Sequence, residues 1–280
     1  MASDLGSAAA VAGSKSGGSS RSLLIGVAAA AVAVAAAITF IKHHAKPENR
    51  VSRLISTSGR LYLSKNYDES LTVAQEAVEL AKAELPKTPE EFGARLHLAG
   101  VYSAMRQFEE ALRELDALLA LTTEVHGESM LLVPALHAKA EVVEKMDRPL
   151  AQAAEQLARA RAVRRQACGE NSMESAMASF NLASVLVRGA QEEGVTAKMR
   201  KEIVSQASSL ALEACSVAST LGEKAEAAEF AAKLLDVLED AEDIESARFM
   251  QSMRDVYLDA TGEEWVVDDE GSDKGSKDVN

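Results

Sequence analysis

The chain has 280 residues, 47% of them hydrophobic and 26% charged, so it can bury at least one sizeable core. Aromatic residues make up only 4%, and Ala, Leu and Glu are the most frequent residues, which favours helices over strands. The formal net charge of -13 argues against a nucleic-acid role, which needs a surplus of Lys and Arg, and favours protein partners.

The N-terminal part predicts a membrane anchor. Residues 1–21 are rich in Ser, Ala and Gly and are expected to be disordered, with a short transit-like segment as the alternative. The nineteen residues 23–41 carry no charge, and such a run can cross a bilayer core of about 30 Å. A cleaved secretory signal normally has a shorter apolar stretch of about 7–15 residues, and a buried core helix would carry spaced polar residues. We therefore predict a single transmembrane helix over 22–42, followed by a basic linker over 43–50.

The charges that flank this run predict its orientation. Lys15 and Arg21 precede it, whereas a larger basic group follows it, which places the C-terminal part in the cytosol. The run is rich in Ala and is similar to signal anchors of the mitochondrial outer membrane. We expect that location, with a plastid envelope or an inner organellar membrane as alternatives. The basic residues after the run are Lys42, Lys46, Arg50 and Arg53.

A recurring Gly-Glu pair indicates internal repeats after Pro47. The intervals between successive pairs are 42, 53 and 40 residues, and the middle one contains an insertion of about eleven residues between Gly189 and Lys201. Fixed-period self-similarity is typical of a solenoid built from stacked units. The four pairs begin at Gly127, Gly169, Gly222 and Gly262.

The hydrophobic residues around these pairs predict helical hairpins. Leu98, Ala99 and Tyr102 share one helical face, and a second stripe follows at i, i+3, i+4, i+7 spacing. Small residues that recur at a fixed register allow two helices to approach closely. The second stripe is Phe108, Ala111, Leu115 and Leu118, and adding 42 gives Leu150, Ala153, Leu157 and Ala160.

The segments Leu98-Ala99-x2-Tyr102 and Gln107-Phe108-Glu109-Glu110-Ala111 resemble the tetratricopeptide-repeat (TPR) family, and the period near 42 is similar to its kinesin-light-chain variant. The resemblance implies an all-α solenoid of about five helical hairpins over 51–261. The third unit departs from the pattern, with Glu141 and Glu144 where a small residue and an aromatic are expected, so its first helix is in doubt. The acidic residues 262–280 predict a disordered tail.

No pattern predicts catalysis, a cofactor or a metal. Phosphate-binding, zinc-protease and serine-hydrolase motifs are absent from the sequence, so neither an enzyme nor a small-molecule substrate is expected. Cys168 and Cys215 lack metal-ligand spacing and are interpreted as packing residues. Scattered histidines do not form a ligand set.

The family resemblance implies that the first helix of each hairpin lines a concave groove that takes a peptide. Asn181 is the closest match to the family Asn that bonds a ligand backbone, because its amide can both donate and accept. Three basic residues give the groove a mildly basic rim, so an acidic peptide segment is one option for the partner. The candidate residues are His97, Lys139, Lys145, Phe180, Asn181, Ser184 and Arg188.

Two functions fit this layout. The first is a membrane-anchored interaction scaffold, acting as a receptor, adaptor or assembly factor that holds a protein partner in its groove. The alternative is a structural subunit of a larger organellar membrane complex, in which neighbours cover the solenoid. An obligate subunit is expected to aggregate or to expose a large apolar patch when isolated.

Overall fold

A computed structural model describes residues 46–146, 148–238 and 244–263. These parts contain ten α-helices and one short 3-10 turn, Met130–Leu132, and no strand. The first helix begins at Pro47, inside the segment predicted to be a linker. The helices are α1 (Pro47–Leu63), α2 (Tyr67–Glu84), α3 (Pro89–Ala104), α4 (Phe108–His126), α5 (Val133–Lys145), α6 (Leu150–Cys168), α7 (Met173–Ala190), α8 (Ala197–Thr220), α9 (Lys224–Leu238) and α10 (Ile244–Thr261).

The helices form five consecutive hairpins, α1/α2 to α9/α10, that stack into a solenoid over 51–263. From α2 onward each helix packs on the next one in the chain, and first helices also contact first helices, as in α3–α5 and α7–α9. This confirms the prediction of an all-helical repeat solenoid. Each hairpin has one first helix (odd numbers) and one second helix (even numbers).

Small residues allow the two helices of a hairpin to cross closely. Ala99 on α3 and Ala111 on α4 are each at most 1% exposed. In the first unit serines replace the alanines: the Ser58 hydroxyl donates to the Ser70 carbonyl oxygen at 2.9 Å, and the Ser70 hydroxyl donates back to the Ser58 carbonyl oxygen at 2.9 Å. These reciprocal bonds satisfy both buried hydroxyls.

The recurring glycines end the second helices. Gly127 follows α4 with φ 64° and ψ -153°, and Gly169 follows α6 with φ 88° and ψ 162°. This region of backbone space is essentially restricted to glycine, which explains why the residue recurs. The first unit has Lys87 at the corresponding turn, with φ 63°.

Two irregular regions of the sequence adopt helical structure. The first helix of the third unit, which the sequence placed in doubt, forms as α5, because Ala140 supplies a buried small residue while Glu141 is exposed. The insertion after Gly189 becomes a short loop and an extension of α8, which reaches 24 residues.

The two cysteines have different environments. Cys215 on α8 is buried, and burial raises the pKa of its thiol to about 11. Cys168, at the end of α6, is exposed, so its interpretation as a packing residue is wrong. A helix end next to a turn leaves such a side chain accessible to solvent.

The predicted segments 1–21 and 22–42, and all but the first two residues of the predicted tail 262–280, lie outside the described residues. Among the helices that are described, none is both long and apolar enough to cross a membrane.

Candidate functional site

The first helices lie side by side, and side chains connect α1 to α3 and α5 to α7. His97 Nε2 on α3 lies 2.8 Å from Ser58 Oγ on α1. Arg188 Nη1 on α7 donates to Glu144 Oε2 on α5 at 2.8 Å. We call the solvent-facing side of these helices the first-helix face.

Residues at the same spacing form this face on each first helix. On α7 the partly or fully exposed residues Met177, Asn181, Ser184 and Arg188 are separated by four, three and four positions, which is one helical stripe. Small side chains dominate the equivalent stripe of α3. The corresponding stripes are Pro134, Ala138, Glu141 and Lys145 on α5, and Gly93, His97, Gly100 and Ala104 on α3.

Asn181 occupies the middle of the α7 stripe. It is partly exposed, and its amide has no hydrogen-bond partner among residues 46–146, 148–238 and 244–263. The Ser184 hydroxyl, on the same stripe, also has no partner within these ranges. An amide offers donors and an acceptor together, which is the pairing that an extended peptide backbone requires. The two side chains could therefore bind a ligand backbone without breaking an existing bond.

Two of the predicted groove residues lie elsewhere. Phe180 is 8% exposed and stacks on Phe230 of α9, with ring centroids 4.5 Å apart, so it packs the α7–α9 contact. Lys139 Nζ reaches Asp116 Oδ1 on α4 at 2.6 Å, toward a second helix. Neither side chain lies on the first-helix stripes.

The predicted basic rim is paired with acids. Besides Lys139 with Asp116, Lys145 pairs with Glu141 at 2.5 Å, and Arg188 pairs with Glu144. Each of the three cations therefore has a carboxylate partner inside the protein. The face offers an acidic ligand little unpaired positive charge.

The histidines of this region act as neutral groups. Burial lowers the pKa of His97, and burial together with the nearby Arg164 lowers the pKa of His137. Since the Ser58 hydroxyl already donates to Ser70, His97 Nε2–H is the donor to Ser58 Oγ. In the described part of the chain, no group of three His, Cys, Asp or Glu residues could hold a metal ion.

Sequence reasoning missed Met177, which is 46% exposed on the α7 stripe. Met177 lies four positions, about one helical turn, before Asn181, so the helical spacing could have identified it as part of the same stripe. A flexible, polarizable Met side chain adapts to different apolar ligand groups.

No family model matches this sequence, and no curated protein matches it. Solved structures do resemble it. A point variant of the kinesin-light-chain-type protein of Podospora anserina, with nearly identical TPR-like repeats, has a TM-score of 0.59 at 15% identity, covering 79% of this chain and 100% of that one. BtubC (BKLC) from P. vanneervenii has a TM-score of 0.59 at 16% identity, covering 91% of this chain and 96% of that one.

At these identities the likeness shows the fold alone. The chain therefore has the fold of kinesin-light-chain-like TPR repeat proteins.

Proposed function

We propose that this protein is a membrane-anchored scaffold that binds a protein partner on its first-helix face. The observation that carries the proposal is the unpaired amide of Asn181, with the unpaired Ser184 hydroxyl beside it on the same stripe. A partly exposed amide without a hydrogen-bond partner in the described part of the protein is available for a ligand. The partner is an extended or helical segment of another protein.

The small residues of the face support binding through a peptide backbone. Gly93 and Gly100 on α3 are exposed, and a Cβ added at either would meet nothing within 4 Å. Close approach of a ligand backbone is therefore open along α3. Because the basic side chains are paired, partner binding depends on hydrogen bonds to the ligand backbone rather than on attraction of an acidic peptide.

Photo-crosslinking in cells tests the binding face. A photo-reactive amino acid at Ser184 of the full chain is expected to crosslink to a protein partner. The matched control places it at Gln166, which is exposed near the C-terminal end of the second helix α6. Equal crosslinking from both positions, or none from Ser184, would contradict the proposed face.

The anchor is the second part of the proposal. Its support is the uncharged run within 22–42 and the basic residues that follow it, which favour the mitochondrial outer membrane with the solenoid in the cytosol. A plastid envelope or an inner organellar membrane are the alternatives. The full chain should resist alkaline extraction from membranes, and deletion of 22–42 should release it. In sealed organelles a C-terminal tag should be cleaved by added protease; protection of the tag would exclude the cytosolic orientation.

A structural subunit of a larger complex is the second candidate function. It is supported by exposed apolar side chains outside the first-helix face, among them Leu131 at 49% and Leu258 at 45% exposure. An obligate subunit should co-purify with its neighbours at fixed stoichiometry. Purification of the full chain from mild detergent as a monodisperse single protein would exclude this function.

A further inference from the structure

A second candidate binding site lies between the second helices of the third and fourth units. The N-terminal halves of α6 and α8 form the two walls of an apolar cleft of about 570 Å³, and the C-terminal half of α7 forms its floor. This volume is within the range of about 300–1,000 Å³ that is usual for ligand pockets. The cleft shares no residue with the α7 stripe of the first-helix face.

The insertion builds one side of the cleft. Its loop contributes Glu192, Glu193 and Val195, and the extension of α8 contributes Met199, which is 50% exposed. A regular unit of the repeat has no residues at this place. The extra residues therefore create a wall that the other units lack.

Hydrogen bonds hold the insertion loop in position. Glu192 Oε1 accepts from the Leu150 backbone N–H at 2.8 Å, at the N-terminus of α6. Gln191 Nε2 donates to the Val237 carbonyl oxygen at 3.0 Å. Because these bonds connect the loop to α6 and to α9, the rim of the cleft is formed before a ligand binds, which lowers the entropy cost of binding.

The cleft is apolar inside and acidic at its edge. Leu182, Val185 and Leu186 form the floor, and no Lys or Arg is among its lining residues. Glu155 on α6 and Glu193 on the loop are exposed at the rim, and neither has a partner within the part of the chain that is described. A ligand with large apolar side chains and flanking positive charges complements both features.

The length of the walls fits a short helix. Along α6 the lining residues extend from Pro149 to Ala158, roughly 13 Å at 1.5 Å per residue. This distance corresponds to two or three helical turns. A groove of that length accommodates apolar side chains at i, i+3 or i+4, and i+7 of a helix.

We propose that the α6–α8 cleft binds an amphipathic helix of a partner protein whose apolar side chains enter the cleft and whose flanking Lys or Arg residues pair with Glu155 and Glu193. The site is separate from the first-helix face. The protein can therefore hold two partner segments at once.

Fluorescence anisotropy tests this proposal with the full chain in zwitterionic phosphatidylcholine nanodiscs. The probe is a labelled helical peptide with Leu at i, i+4 and i+7 and Lys and Arg at both flanks. The double variant Glu155→Lys/Glu193→Lys should weaken its affinity about tenfold, because two favourable charge pairs become repulsive. The matched control Glu202→Lys/Glu223→Lys, at two other exposed carboxylates, should change affinity less than twofold.

Two further measurements distinguish a basic amphipathic helix from an uncharged apolar ligand. Ala158→Trp, an exposed position of the lining, should fill the cleft and abolish binding, whereas Asn181→Ala should leave it unchanged. The same peptide with Glu flanks should bind at least about tenfold more weakly. Equal affinity for the wild type and the rim variant would overturn the proposal. The proposal would also be overturned if Ala158→Trp abolished binding while neither the rim variant nor the Glu-flanked peptide changed the affinity. The cleft would then take an uncharged apolar ligand.

Discussion

Two successive junctions between second helices, α4–α6 and α6–α8, differ in what lies between them. Two ion pairs hold charged side chains of α4 at the first junction: Glu109 Oε1 with Arg148 Nη2, in the turn before α6, at 2.6 Å, and Asp116 Oδ1 with Lys139 Nζ on α5 at 2.6 Å. With the 42-residue register, alanines stand at the corresponding positions of the second junction. Glu109 corresponds to Ala151 and Asp116 corresponds to Ala158, and both alanines line the open cleft.

The difference shows how a repeat protein obtains a local site without changing its fold. Charged side chains of α4 and of the turn before α6 meet at the α4–α6 junction, whereas short apolar ones leave the α6–α8 junction open. The insertion adds a wall to the open side. The small-residue contact inside each hairpin is kept, since Ala111 on α4 and Ala153 on α6 are both fully buried.

The largest expected effect is at the contact between the first helices α7 and α9, away from the two junctions. Phe180→Ala removes the stack on Phe230 and should lower the free energy of unfolding by about 3–5 kcal/mol. Met177→Ala, an exposed change on the same helix, is the control and should cost less than about 0.5 kcal/mol. Denaturant unfolding of the full chain measures both, and similar values for the two variants would contradict a packing role for Phe180.

A smaller effect is expected further along the α6–α8 junction, where a polar network joins the two helices. Arg161 Nη2 donates to Glu213 Oε1 at 2.9 Å and to Oε2 at 2.8 Å, and Arg161 Nε donates to Ser179 Oγ at 2.7 Å. The Arg161 side chain is only 19% exposed. Glu213→Gln should destabilise the protein by about 1–3 kcal/mol, because it weakens charge-assisted bonds to a largely buried guanidinium.

The same Glu213→Gln variant also tests whether peptide binding in the α6–α8 cleft is independent of this network. Its cleft should bind the basic helical peptide with unchanged affinity, since Glu213 does not line the cleft. Thermal unfolding and anisotropy measure the two outcomes separately. A variant with wild-type stability would show that the network does not hold the junction.

The smallest effect is expected for the ion pair between α4 and α5 beside the first junction. Asp116 is 59% exposed in its side chain, so its pair with Lys139 is largely screened by water. A double-mutant cycle with Asp116→Ala and Lys139→Ala should give a coupling energy of about 0.2–1 kcal/mol. A value above about 2 kcal/mol would contradict this screening and mean that the ion pair is a substantial source of stability.

The sequence predicts the repeat register well and predicts side-chain direction less well. The register identifies equivalent residues such as Ala111 and Ala153, both fully buried, because apolar periodicity reports burial. Phe180 and Asn181 are neighbours in sequence, and one packs α9 while the other faces solvent. Periodicity within one helix does not show which neighbouring helix a residue meets.

Two further features depend on contacts that no local pattern encodes. The carboxylate partner of Lys139 lies 23 positions earlier in the sequence, on a different helix. The α6–α8 cleft depends on the insertion loop, whose position is set by bonds to α6 and α9. The sequence marks the insertion as an irregularity of the period, but its fold depends on these distant bonds.

The most direct test of the central claim is proximity labelling in cells from the full chain with a labelling enzyme at its C-terminus. Wild type is compared with Asn181→Ala/Ser184→Ala and with the exposed control Gln166→Ala. Loss of two hydrogen bonds to a ligand backbone should weaken binding about tenfold or more, so the double variant should lose labelling of specific proteins that the wild type and the control retain. An identical set of labelled proteins from all three chains would contradict a partner-binding role for the first-helix face.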